Sequence, residues 1–81
     1  MNTVLRVPAV MAATGLARPT IYARIKAGLL TPPIKLGRRA SAWPADEVSA
    51  VNDALIAGRP EGEIRELVIS LIERRTNRQA A

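Results

Sequence analysis

The stretch Gly15-Leu16-Ala17-Arg18-Pro19-Thr20-Ile21-Tyr22 decides the fold of this chain. Gly15 can adopt the left-handed conformation that ends a helix, and Pro19 is tolerated in a first helical turn because its missing N–H would be unpaired there. The sequence therefore predicts a helix from Pro8 to about Thr14, a very tight turn and a second helix over Arg18 to Ala27. This order of elements is a helix-turn-helix.

The second helix separates apolar from basic side chains. At about 100° per residue, Ile21 and Ile25 share one side and form a buried stripe with Leu16 and Leu29. The rest of its surface is small, polar or basic, and Gly28 ends the helix.

A β-hairpin is predicted before Trp43, because Pro32 and Pro33 disfavour a helix there. If Gly37 and Arg38 are the two central residues of the turn, Arg38 and Arg39 are exposed at the tip of the hairpin. This hairpin is called the wing. The pairs are then Leu36 with Arg39 and Ile34 with Ser41, and the inward-facing residues are Ile34, Leu36 and Trp43.

Two more helices are expected after the hairpin. The third begins near Pro44, with Asp46 and Glu47 in a first turn where the helix dipole favours acids, and it ends before Pro60. The last runs from Glu61 to about Arg75 and is strongly amphipathic. Its apolar residues are Ile64, Leu67, Val68, Leu71 and Ile72.

The last helix has two interpretations: it folds back to complete a thin core, or it pairs with a second copy of the chain. A membrane-surface helix is a poorer interpretation, because its several glutamates would repel anionic lipid. The predicted fold is mainly α with a small β-hairpin. It comprises a winged helix-turn-helix domain over residues 1–58, a C-terminal amphipathic helix over 59–76 and a flexible tail over 77–81.

Charge is divided between the two halves of the chain. Residues 1–43 carry seven basic and no acidic side chains, whereas residues 44–81 carry five basic and seven acidic ones. A protein that neutralises phosphates with one face shows this segregation. Double-stranded DNA is therefore the expected partner.

The composition excludes most other classes of function. The absence of Cys and His removes disulfides, Cys/His metal sites, thiol nucleophiles and imidazole catalysis, so we expect no enzyme, no metal and no cofactor. There is no signal-peptide pattern and no apolar run of membrane-spanning length. We expect a cytoplasmic, nucleoid-associated protein.

The second helix is the expected reader of the major groove. Arg24 is the best candidate for a base contact, because a guanidinium can donate two parallel hydrogen bonds to guanine. Ala23 and Ala27 are small enough for close approach, and Tyr22 is expected to pack its ring and reach a phosphate with its hydroxyl. Without the glycine turn and the basic hairpin around it, such a helix would more often be a surface with solvated charges.

The hairpin tip is the second expected contact. Arg38 and Arg39 suit the minor groove or phosphates, whereas a plain polar turn would need the glycine but not two adjacent arginines. Trp43 is assigned to packing between the wing and the third helix. The complete set of DNA-binding candidates is Arg18, Pro19, Thr20, Tyr22, Ala23, Arg24, Lys26, Ala27, Lys35, Arg38 and Arg39.

Three motifs occur together: the stretch quoted above, Pro33-Ile34-Lys35-Leu36-Gly37-Arg38-Arg39, and Ala42-Trp43. Over about residues 4 to 57 the chain resembles the AlpA-like family of prophage regulators and excisionases. The resemblance implies a small winged helix related to the MerR-type DNA-binding domain. It also implies that Arg18, Thr20, Tyr22, Arg24 and Arg39 face DNA. Ala17 departs from the family pattern, which often has a Ser able to cap the recognition helix.

Two functions from different classes follow. The first is sequence-specific DNA binding for a mobile genetic element, as an excisionase, a transcriptional regulator or both, with an integrase or RNA polymerase as a further partner. On DNA such a protein would act as a homodimer or cooperative multimer. The second is a small protein-interaction module, an antitoxin or adaptor, that works through the C-terminal helix.

Overall fold

The computed structural model describes residues 3–80 and contains four helices and a three-stranded antiparallel sheet. The predicted fold class is confirmed. In chain order the elements are β1 (Val4–Arg6), α1 (Val7–Thr14), α2 (Arg18–Lys26), β2 (Ile34–Lys35), β3 (Ser41–Pro44), α3 (Ala45–Ile56) and α4 (Glu61–Ala80). The last helix, expected to end near Arg75, continues to Ala80.

The two helices of the helix-turn-helix each end at a glycine in the left-handed conformation. Gly15 has φ 73° and its N–H donates to the Met11 carbonyl at 2.8 Å, which ends α1. Gly28 has φ 79°, and the N–H of Leu29 reaches back to the Arg24 carbonyl at 2.8 Å. This is the bonding pattern of a Schellman motif, which satisfies the last carbonyls of α2.

The predicted register of the hairpin is wrong by one residue. Ile34 pairs with Ala42 and Lys35 with Ser41, and the Leu36 N–H donates to the Ala40 carbonyl at 2.8 Å. A two-residue hairpin turn starting at Gly37 would require positive φ there, but the described glycines with positive φ are Gly15, Gly28 and Gly58. The wing tip is therefore a longer loop, and Leu36 is 50% exposed rather than turned inward.

A third strand accompanies the hairpin. From the sequence, no strand is predicted before α1, whereas β1 pairs antiparallel with β3 and makes β3 the central strand. Leu5 lies opposite Trp43 and Arg6 opposite Ala42. The start of the chain is thereby joined to the wing.

The core lies between the helix-turn-helix, the sheet and the last two helices. Trp43 is fully buried at its centre and donates its indole N–H to the Thr31 carbonyl at 2.8 Å, which confirms its predicted packing role. From α4, Ile64, Val68 and Leu71 are all at most 4% exposed. The last helix therefore folds back onto its own chain.

One ion pair joins α4 to the start of α3. The Glu47 carboxylate, which was expected to serve only the helix dipole, is buried and accepts two hydrogen bonds from the Arg75 guanidinium, one of them 2.7 Å from Nε. Arg75 also donates to the Pro32 carbonyl at 2.7 Å. One side chain of α4 thus holds both α3 and the segment that leads into the wing.

Candidate nucleic-acid interface

Helix α2 presents most of its predicted DNA-binding residues to solvent. Ile21 is fully buried and fastens the helix to the core. The exposed members of the candidate set on this helix and its end are Arg18, Pro19, Thr20, Tyr22, Ala23, Lys26 and Ala27. Because the helix is held by its apolar side, the opposite side is free to approach a ligand.

A groove of about 320 Å³ lies between α2, the N-terminal strand and the wing. It is lined by Arg6, Val7, Pro8, Arg18, Tyr22, Arg39 and Ser41. Three guanidinium groups from three separate parts of the sequence therefore border one cavity. None of the lining residues is acidic, so the groove suits an anion.

The arginines of the groove are available for a ligand. Among the residues that the structure describes, Arg6, Arg18 and Arg39 form no ion pair or side-chain hydrogen bond within the chain. Unpaired exposed arginines of this kind can form charge-assisted, bidentate hydrogen bonds with phosphate oxygens.

Tyr22 packs less than expected. Its ring centroid lies 6.5 Å from that of Trp43, with the ring planes tilted by 58°, but the residue remains 43% exposed. Tyr22 lies at the edge of the buried stripe, so part of it contacts the core and part borders the groove. It is thus more a groove residue than a packing residue.

The remaining candidates lie outside the groove. Arg24 is half-buried on α2 and does not line the cavity. Lys35 and Arg38 are exposed on the wing, beyond the groove wall. The Ala27 carbonyl accepts a hydrogen bond from Arg65 Nε at 3.0 Å, which ties that end of α2 to α4.

Sequence reasoning missed two groove residues, Arg6 and Ser41. In the sequence, Arg6 is distinguished only as one of the seven basic residues in the first half of the chain. Its place beside the wing depends on the β1–β3 pairing, in which it lies opposite Ala42. An isolated basic residue between two apolar ones, directly before a helix, was the only local signal available.

A tight helix-turn-helix, a β-hairpin wing and an unpaired basic surface define a winged helix-like protein of the nucleic-acid-binding class. The profile of the family described as "Prophage CP4-57 regulatory protein (AlpA)" matches residues 3–50. The chain belongs to this family, which confirms the resemblance given by its motifs. The family is one of prophage regulatory proteins.

One curated relative extends the comparison. An uncharacterized protein, ORF88 of Enterobacteria phage P4, is 47% identical to this chain over 58 residues, which make up 72% of the chain and 66% of the relative. The chain thus spans just under two thirds of the length of that protein. No solved structure matches the chain significantly.

Within residues 3–80, no group of acidic side chains is arranged to hold a metal ion. None of the helices described here combines the length and hydropathy of a membrane span.

Proposed function

We propose that this chain binds double-stranded DNA sequence-specifically and acts at its site as an excisionase, as a transcriptional regulator of a prophage-like element, or as both. The observation that carries the proposal is the groove, where Arg6, Arg18 and Arg39 stand unpaired between the recognition helix and the wing. Such a surface neutralises phosphates while α2 lies in the major groove.

Two groups of side chains have separate roles in this proposal. Arg24, Ala23 and Thr20 of α2 contact base edges, with Arg24 as the principal reader. Lys26, Lys35 and Arg38 add contacts to the backbone or the minor groove around that site. DNA binding of this kind places the protein with the nucleoid in the cytoplasm.

Selection from a random duplex library tests the proposal, because the protein itself then picks out its target from all possible sequences. Fluorescence anisotropy then compares the selected duplex with a scrambled one at several salt concentrations. We expect affinity for both to fall steeply with salt and the selected duplex to bind at least about 10³-fold more tightly. Equal affinity for both duplexes would refute sequence-specific binding.

The two activities differ in the protein they engage after DNA is bound. An excisionase stimulates an integrase on attachment-site DNA, and a transcriptional regulator changes initiation by RNA polymerase at a promoter that contains the site. Reconstituted excision and transcription assays, both with the selected site, separate these roles. Activity in neither assay would leave a DNA-binding protein without the proposed regulatory role.

The alternative, an antitoxin or adaptor that acts through α4, needs a test that preserves the fold. Truncation at Pro60 would remove Ile64, Val68 and Leu71 from the core. The exposed Ile69 and Ile72 offer a better position for substitution. If Ile69→Lys with Ile72→Lys abolishes biological activity while DNA affinity is unchanged, α4 acts through a protein partner.

A further inference from the structure

The groove defines a contact that neither the motifs nor family membership assigns. We infer that Arg6, together with Arg18 and Arg39, forms one binding site for a backbone phosphate of the DNA. The inference rests on the proposed function and deepens it, since it names the chemical group bound and adds a residue from the N-terminal strand.

The position of Arg6 is fixed by backbone pairing. Arg6 is the last residue of β1 and lies opposite Ala42 in the central strand, directly beside Ser41 of the groove wall. It is also the residue that precedes the first turn of α1. Its side chain is therefore carried on a part of the sheet that is held by hydrogen bonds, while remaining exposed itself.

The charge around the groove favours a phosphate. Three arginines line the cavity without a carboxylate, and Tyr22 and Ser41 add hydroxyl groups that can donate hydrogen bonds. Helices α1 and α2 both begin at the groove, and neither has a side-chain cap at its N-terminus. Their dipoles add positive potential to that of the guanidinium groups.

The location favours the DNA backbone as the source of that phosphate. The groove lies between α2 and the wing, so when α2 lies in the major groove of a duplex, the adjacent DNA backbone can follow the cavity toward the wing. A contact of this kind fixes the register of the protein on the duplex and carries no sequence information.

The central experiment compares wild type with Arg6→Ala on the selected and the scrambled duplex. Removal of one of the three arginines at this phosphate reduces the slope of log affinity against log salt by at most about 0.9, which corresponds to up to roughly eightfold weaker binding at 0.1 M salt. We expect this loss on both duplexes, with the ratio of their affinities unchanged. Arg6→Lys should recover most of the slope, because it keeps the charge.

Arg59→Ala is the matched control, since it also removes one exposed arginine. Arg59 pairs with Glu63 at 3.5 Å and does not line the groove, so its removal should leave the slope unchanged. A methylphosphonate scan of the DNA provides a measurement that does not require a variant to fold. Neutralising the contacted phosphate should weaken wild type by up to roughly eightfold, and Arg6→Ala by less, because only Arg18 and Arg39 then remain to lose their contact.

Failure of this site and failure of the proposed function give different results. If wild type prefers the selected duplex but Arg6→Ala keeps the wild-type slope, the phosphate site is refuted and the proposed function stands. If Arg6→Ala shifts the slope but wild type prefers neither duplex, the site stands and sequence specificity fails. If Arg6→Ala abolishes the preference, Arg6 reads a base, which overturns the assignment.

A small anion is the competing source of the phosphate group. Titration of inorganic phosphate at constant ionic strength, followed by the NMR amide shifts of groove residues, tests it in the absence of DNA. Saturable binding that Arg6→Ala removes, combined with an unchanged DNA slope, would assign the groove to a free anion and refute the backbone contact.

Discussion

Three arginines in each half of this chain have opposite environments. In the half that contains α1, α2 and the wing, Arg6, Arg18 and Arg39 have no acidic partner within the described residues. In the half that contains α3 and α4, Arg59, Arg65 and Arg75 each form an ion pair. The three arginines of the second half are thus paired within the chain, whereas the three of the first half are not.

This difference explains why net charge alone is a poor guide to the site. All 12 basic residues contribute to the formal charge of +5, but only those without a nearby carboxylate retain their full potential for phosphate. We expect substitution of the paired arginines in the second half to lower the free energy of unfolding and leave the DNA affinity unchanged. Substitution of the unpaired arginines in the first half should lower the DNA affinity and leave the free energy of unfolding unchanged.

The largest effect is expected at Arg75. Arg75→Met leaves the Glu47 carboxylate, whose side chain is 2% exposed, buried without its partner. Removal of one member of a buried ion pair costs about 3–5 kcal/mol, so the free energy of unfolding measured in urea should fall by that amount. Under conditions where the variant is folded, its DNA affinity should equal that of wild type.

The double variant Glu47→Leu with Arg75→Met is the control for that prediction. It removes both charges, so it should recover much of the lost stability. A loss below about 1 kcal/mol in Arg75→Met would show that the pair is not what holds α4 in place.

An intermediate effect is expected at Arg24. Arg24→Ala should weaken binding to the selected duplex by about 1–3 kcal/mol and relax the preference at one base position. Its free energy of unfolding should stay within about 0.5 kcal/mol of wild type. Arg24→Lys keeps the charge but loses the bidentate geometry. Compared with Arg24→Ala, it should therefore recover affinity for the scrambled duplex but little of the preference for the selected one. Equal weakening on every sequence would make Arg24 a phosphate contact.

The smallest effect is expected at Arg65. Its guanidinium pairs with Glu61 at 3.5 Å in an exposed position and donates to the Ala27 carbonyl at 3.0 Å. Arg65→Ala should reduce the free energy of unfolding by no more than about 1 kcal/mol, and Glu61→Gln by less. The salt slope of DNA binding should not change. A reduced slope in Arg65→Ala would place α4 against the DNA and abolish the distinction between the two halves.

Local signals predicted the helices and the existence of the wing. Gly15 and Gly28 require a left-handed backbone, and the prolines after Leu30 exclude a helix, so these boundaries follow from residues close in sequence. The hairpin register was not predictable in the same way. It depends on the φ value of Gly37, a residue that is sterically free to take either sign.

Tertiary partners account for what the sequence could not reveal about the site. Arg6 joins the groove only through pairing with a strand more than thirty residues further along, and Glu47 differs from an ordinary first-turn acid only because Arg75 reaches it. By contrast, Arg18, Tyr22 and Arg39 were predicted from the motif and do line the groove. The roles of all these residues in DNA binding remain predictions until the variants are measured.

The bonds of Arg75 to Glu47 and Pro32 have a consequence for the order in which the chain matures. During synthesis the half that contains α2 and the wing leaves the ribosome first, but the acid at the start of α3 lacks the counter-charge of Arg75 until α4 has been translated. We therefore expect a nascent or prematurely terminated chain to expose its recognition helix without a stably anchored wing. The wing is then anchored only after Arg75 has been translated and α4 has packed against α3.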